Sequence, residues 1–145
     1  MRVATELNPG LLGKPAFVAG HSLGEYSALV AAGALPFDEA VRLLRTRGEL
    51  MQAAGARNPG TMAAVLGLDV SECEEVCREA GAEICNINAP GQIVIGGRRE
   101  AVVRALDYAK ARGAVKVIPL SVSGAFHSSL MRPAADGMIQ PVATA

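Results

Sequence analysis

Ala16-Phe17-Val18-Ala19-Gly20-His21-Ser22-Leu23-Gly24-Glu25 joins a short apolar run to a glycine-flanked serine. The apolar run Phe17 to Ala19 predicts a short buried strand, and Tyr26 to Ala32 predicts a helix. Between them lies Gly20-x-Ser22-x-Gly24, so the order is strand, sharp turn, helix. In a nucleophile elbow the serine holds a strained backbone conformation, and glycines are expected two positions to either side, where a side chain would collide with the neighbouring strand or helix. Such a turn exposes the Ser22 hydroxyl and aims the first helical amides at whatever the hydroxyl attacks. A five-residue pattern is weak evidence in a chain with 16 glycines, and its weight comes from standing between a strand and a helix.

Working outward, 145 residues make one domain, or one domain with a small insert, and a chain that is 50% hydrophobic can bury a core. Fourteen basic and 14 acidic residues cancel, so no net field attracts nucleic acid or an anionic membrane. Two tyrosines, three phenylalanines and no tryptophan leave little for base stacking. Cys73, Cys77 and Cys85 lack C-x-x-C spacing, and only His21 and His127 could join them around a metal, so no metal site is expected. They read as small buried or half-buried thiols in a reducing compartment. The N-terminus lacks the apolar run of a signal peptide and no segment is apolar for long enough to span a bilayer, which points to the cytoplasm.

Residues 1 to 14 read as the tail of a helix closed by Asn8-Pro9-Gly10 and a loop to Lys14-Pro15. A helix remnant feeding a buried strand suggests sequence missing upstream. After the elbow, Gly33 stops the serine helix, and Asp38 is the expected N-cap of a second helix running to Ala54 and ending at Gly55. Leu43, Leu44, Leu50, Met51 and Ala54 fall on one face of it, and Arg47 falls on that same face. From Thr61 to Pro119 the pattern predicts strand Met62–Leu66, a helix opened by a capping box over Ser71-Glu72-Cys73-Glu74, strands Ile84–Asn88 and Ile93–Ile95, helix Glu100–Arg112 and strand Val115–Ile118. That βαββαβ order is ferredoxin-like: four strands with two helices on one face. A Ser/Gly-rich loop holds His127, a helix is expected over Leu130–Met138, and the residues from Pro141 onward read as frayed.

Ser22 needs a base, because a serine hydroxyl is a poor nucleophile at neutral pH. His21 is adjacent in sequence, where a tight turn directs it away, so His127 is the better candidate, set against an ordinary loop histidine. Arg47 cannot lose its charge, so burial in an apolar stripe demands an anion. Two readings stand side by side: an edge residue that snorkels or pairs with Glu25, or a clamp for a substrate carboxylate. Asp69 and Asp107 lie between Ser22 and His127 in sequence, yet both fall in the βαββαβ segment and neither makes a good triad acid. Gly96-Gly97-Arg98-Arg99 reads as a solvated connection before a phosphate cradle.

Four blocks now carry a family resemblance: Gly20-His21-Ser22-Leu23-Gly24-Glu25-Tyr26-Ser27-Ala28-Leu29; Val41 through Gln52 around Arg47; Asn86-Ile87-Asn88-Ala89-Pro90-Gly91-Gln92-Ile93-Val94-Ile95; and Ser123-Gly124-Ala125-Phe126-His127-Ser128-Ser129-Leu130-Met131-Arg132-Pro133-Ala134. In order and spacing they resemble malonyl-CoA:acyl carrier protein transacylases over nearly the whole chain. The resemblance implies an α/β fold of two parts: a partial α/β-hydrolase-like acyltransferase body, residues 1–57 and 120–145, and a ferredoxin-like subdomain, residues 58–119. It implies Ser22 as nucleophile, His127 as base, Arg47 as clamp for the malonyl carboxylate and the Leu23 amide as an oxyanion donor. Phe126 resembles the residue of malonyl-selective members, where its bulk would exclude a methyl branch. Asn86 and Asn88 match asparagines near the family's site without a firm role, and Met51 lies in the Arg47 block. Malonyl-CoA is then the substrate, acyl carrier protein the partner and fatty-acid or polyketide synthesis the setting, with no permanently bound cofactor.

The family's N-terminal Gly-Gln-Gly-Ser-Gln loop, which supplies a second oxyanion amide, has no counterpart here, and the family continues past Ala145. The chain therefore reads as the middle of a longer enzyme, a fragment that need not be active alone. Two other classes stay open: a serine esterase or thioesterase using the same elbow, and a non-catalytic domain that only binds carrier protein. For the latter, Arg98, Arg99, Arg112 and Lys116 offer contacts to an acidic partner, against a plain solvated face.

Overall fold

The computed structural model describes residues 15–145, and the reading of residues 1 to 14 lies outside them. The chain divides into two units, residues up to Arg47 with Gln140–Ala145, and Gly48–Ile139.

In the first unit Ser22 closes a turn into α1 (Leu23–Ala31). The helix stops at Ala32, Gly33 follows with φ 72, and the Ala34 N–H donates back to the Leu29 carbonyl at 3.0 Å. This is the left-handed stop expected of a glycine. The expected strand Phe17–Ala19 is not formed, and Phe17 is 92% exposed. A strand persists only where a neighbour takes its backbone bonds, and among the described residues every ladder lies within Thr61–Leu120.

The second helix, α2 (Phe37–Arg57), begins one residue before Asp38, so Asp38 stands with Glu39 in its first turn instead of capping it. There both acids face the positive end of the helix dipole, and both pair with Arg42. The helix also runs past Gly55, correcting the expected stop. A Cβ on Gly55 would make only ordinary contacts, 3.8 Å from Met131 Cε and 3.6 Å from the Ser123 carbonyl; Ala54 beside it is buried against Met131 and Ala134, and that packing carries the helix through. The helix ends before Asn58-Pro59, where a proline disfavours helical geometry in the residue preceding it.

The second unit holds β1 (Thr61–Leu66), α3 (Val70–Ala80), β2 (Glu83–Ala89), β3 (Gln92–Gly97), α4 (Arg99–Ala111) and β4 (Lys116–Leu120). The sheet order is β2-β3-β1-β4 with every neighbour antiparallel, the ferredoxin-like arrangement expected from the alternation. Period-2 spacing sends Ala63, Val65, Ile93 and Ile95 to the face covered by α3 and α4, where Val76, Cys77, Val102 and Ala105 complete the core. The capping box of α3 is Asp69 with Glu72, two residues before the expected one. The Glu72 amide donates to Asp69 at 2.8 Å, the Asp69 amide donates to Glu72 at 2.8 Å, and the Ser71 hydroxyl also turns to Asp69.

The opposite face of the sheet carries Met62 and Val94, and the chain after β4 lays Ala125, Phe126 and Leu130 on them. A 3-10 turn, Ser129–Met131, then leads into α5 (Arg132–Ala143). Met131 and Ala134 pack on Ala54 with Leu50 and Met51, so the apolar stripe read on α2 has its partner in α5. The tail expected to fray from Pro141 is helical to Ala143. Pro141 lacks one donor, and the helix ends two residues later at Ala143, after which the Thr144 hydroxyl donates to the Gln140 carbonyl at 3.1 Å.

Candidate active site

Ser22 has φ 54 and ψ −111, a conformation that costs a non-glycine residue on the order of 1–3 kcal/mol and persists only where its surroundings enforce it. Gly20 is part of that enforcement, because a Cβ there would stand 1.9 Å from the Gly24 carbonyl oxygen. The flanking-glycine expectation holds on that side alone. At Gly24 an added Cβ meets nothing within 4 Å among the described residues. The turn places Ser22 directly before Leu23, the first residue of α1, whose amide has no acceptor within the helix.

Arg47, half-buried on α2, donates from Nη2 to the Ser22 Oγ at 2.8 Å. The partner the structure gives this half-buried side chain is thus the Ser22 hydroxyl and not Glu25. It is a fixed positive charge within hydrogen-bond reach of the elbow hydroxyl. Its planar fork has five donors, so one bond to Ser22 leaves capacity for a carboxylate.

His127, in the second unit, is exposed and has φ 60. Among the described residues Ser22 and His127 are the only non-glycine residues with positive φ, and they are the two singled out as nucleophile and base. The His127 turn is closed by Ser128, which is buried: its hydroxyl donates to the Ala125 carbonyl at 2.6 Å and accepts from the Leu130 amide at 3.3 Å. Ser129 donates its amide and its hydroxyl to the Glu83 carboxylate at 2.9 and 2.5 Å, and Asn58 Nδ2 donates to the Leu130 carbonyl at 3.2 Å. Sequence reasoning missed Ser128, Glu83 and Asn58. Glu83 and Ser129 are 46 positions apart, and no local pattern joins them.

Phe126 is half-buried and packs into both clusters flanking the loop, with Met51 a member of one of them. Asn86 donates to Asn88, so this pair on β2 is joined to itself. Asp69 caps α3, its carboxyl held below the usual carboxylate range by the Glu72 amide and the Ser71 hydroxyl, and Asp107 pairs with Lys110 at 3.2 Å. Both acids are thus occupied away from a triad. Burial pushes the Cys77 thiol to about 12 and the Cys85 thiol to about 11, with nearby Glu83 adding to both, so neither offers a competing thiolate. Among the described residues no group of three His, Cys, Asp or Glu could hold a metal ion, and no helix is long and apolar enough to cross a membrane. Of the basic contacts considered for a partner, Arg112 is tied to Glu79 at 2.7 Å, while Arg98, Arg99 and Lys116 are exposed.

Comparison with known proteins bears on the family of the chain. The sequence profile of the family described as "Acyl transferase domain" matches residues 9–145. A malonyl CoA-acyl carrier protein transacylase of Bacillus subtilis (strain 168) is 52% identical over 84% of this chain and 40% of its own length. One of the same name from Staphylococcus aureus (strain COL) is 49% identical over 81% of this chain and 40% of its own. Among solved structures, an acyl carrier protein S-malonyltransferase from Vibrio cholerae superposes with a TM-score of 0.89 at 42% identity, covering 99% of this chain and 47% of that one. A malonyl-transacylase solved in complex with its type II PKS acyl-carrier protein superposes with a TM-score of 0.86 at 46% identity, covering 94% of this chain and 45% of that one. The chain spans about 40% of the length of the curated relatives it matches. With its elbow serine, its ferredoxin-like sheet and a family profile that runs through almost all of its residues, this chain belongs to the acyl transferase domain family.

Proposed function

We propose that this chain carries the nucleophile, base and carboxylate clamp of an enzyme that moves a malonyl group from malonyl-CoA to the phosphopantetheine thiol of acyl carrier protein. The observation that carries the reading is the 2.8 Å bond from Arg47 to the hydroxyl of Ser22, because it sets a permanent cation beside a strained elbow nucleophile. A hydrolase of neutral esters has no use for that cation. The relatives' names, and a relative solved with its carrier protein, support the substrate and the partner.

In this reading His127 takes the Ser22 proton as Oγ bonds to the thioester carbonyl carbon. The carbon–sulfur bond then breaks, CoA leaves with the proton returned by His127, and the malonyl group rests on Ser22 as an ester. The carrier thiol attacks that ester by the reverse sequence and restores the Ser22 hydroxyl. The Leu23 amide faces the developing oxyanion, and one such donor contributes about 2.7–4 kcal/mol of barrier lowering. Arg47 holds the malonyl carboxylate, and Phe126 selects against a branched acyl group. The division into an acyltransferase body (1–57 and 120–145) and a ferredoxin-like subdomain (58–119) belongs to the same proposal, as does a cytoplasmic setting.

The test is a chase: protein loaded with labelled malonyl-CoA and freed of excess donor is mixed with carrier protein bearing its phosphopantetheine. Label should pass to the carrier, and His127→Ala should slow loading by about 10²–10⁴-fold. Label reaching the carrier unchanged with Ser22→Ala would refute the acyl-enzyme.

A further inference from the structure

We propose that Glu83 is a positioning residue for His127, acting through Ser129; the inference rests on the role of His127 given above. The loop between β4 and α5 must hold His127 at φ 60, a conformation its own side chain disfavours, so the restraint comes from neighbours. On the N-terminal side Ala125 is fully buried against Met62 and Val94 on the back of the sheet. Gly60 admits it there, since a Cβ on Gly60 would come within 2.7 Å of the Ala125 Cβ. On the C-terminal side the restraint is polar. Both donors of Ser129 converge on the two oxygens of Glu83, at 2.9 and 2.5 Å, and Glu83 is the first residue of β2.

The Ser128 hydroxyl draws the ends together by bonding to the Ala125 carbonyl at 2.6 Å. Phe126 and His127 are thus the two residues of a short arch whose one foot is packed on the sheet and whose other foot is bonded to its edge strand, β2. The bonds to Glu83 are exposed, so losing them leaves the core intact. Their effect falls on where the imidazole sits. Misplacing a catalytic group by about 1 Å costs on the order of 10²-fold in rate.

Glu83→Ala removes both acceptors. Glu83→Gln keeps an oxygen for the Ser129 amide, and its NH2 can donate to the Ser129 hydroxyl, so it should act as the rescuing variant. Two readouts are taken on wild type and both variants. Amide hydrogen exchange, followed by mass spectrometry on a peptide covering 121–131, should speed up about tenfold or more at 126–129 in Glu83→Ala and stay within about threefold of wild type in Glu83→Gln. A peptide covering 92–111 should be unchanged in both. Malonyl loading of Ser22 should lose roughly tenfold or more in maximal rate with Glu83→Ala, the donor concentration for half-saturation staying the same. Unchanged exchange at 126–129 in Glu83→Ala overturns the anchoring whatever the activity. Faster exchange with an undiminished maximal rate overturns the positioning role. Loading that is indifferent to His127→Ala overturns the functional reading instead, leaving the exchange result to stand as evidence on the anchor alone.

Discussion

Replacing Arg47 by alanine should separate a carboxylate clamp from every other role for that side chain. In the proposed complex the guanidinium offers two parallel charge-assisted bonds to the malonyl carboxylate, each contributing about 1.5–3 kcal/mol. Together they amount to about 3–6 kcal/mol, or 10²- to 10⁴-fold at roughly 1.4 kcal/mol per decade. Arg47 is half-buried, so water partly screens the pair, and the lower part of that range applies: about 10²- to 10³-fold. The assay is stopped-flow or quench-flow loading of Ser22 from malonyl-CoA and, separately, from acetyl-CoA. Malonyl loading should fall by that factor while acetyl loading changes by less than about fivefold, because the acetyl group has no carboxylate for Arg47 to hold. Arg47→Lys should recover only part of the loss, since an ammonium keeps the charge without the fork. An equal fall for both donors would rule out the carboxylate clamp, because Arg47 would then act through its 2.8 Å bond to the Ser22 hydroxyl and not through the substrate.

Three further outcomes follow from the geometry. Gly20→Ala forces a Cβ to within 1.9 Å of a backbone oxygen and should destabilise by about 3 kcal/mol or disrupt the elbow, whereas Gly24→Ala should stay within about 1 kcal/mol in urea unfolding; equal effects would contradict the elbow geometry. Asp69 is held below its ordinary value by the Glu72 amide and Ser71 hydroxyl, so its cap is complete above the unfolded carboxylate range and is lost as pH falls through the lowered native value. The difference in thermal midpoint between wild type and Asp69→Ala should therefore be full at pH 6 and shrink below about pH 4, and a pH-independent difference would argue against the cap. Cys85, pushed up to about 11, should react with iodoacetamide at pH 8 on the order of 10²-fold more slowly in the folded chain than in urea; equal rates would mean the thiol is not buried.

The ferredoxin-like unit was legible because its signals are local. Alternation places Ala63 and Val65 on one face and Met62 on the other, and each of its two helices is followed by a glycine in the left-handed conformation, Gly81 with φ 72 and Gly113 with φ 88. Where sequence reasoning failed, a long-range term decided. Phe17–Ala19 has the composition of a strand but no ladder to join among the described residues, and Gly55 looks like a stop until Ala54 beside it is seen buried against Met131 and Ala134. The site shows the same split. Ser22, Arg47 and His127 stand out by residue type and spacing, while the Glu83–Ser129 bond joins residues 46 apart and leaves no trace in either segment alone.

In the proposed function Ser22 is an acyl acceptor selected for carboxylate-bearing groups. The intact mass of the purified chain after brief exposure to malonyl-CoA, beside acetyl-CoA and Ser22→Ala, tests it most directly. One malonyl group per chain is expected, mapped to Ser22 by peptide fragmentation, absent from Ser22→Ala and far scarcer from acetyl-CoA. An adduct that survives in Ser22→Ala, or acetyl loading equal to malonyl loading, would contradict it.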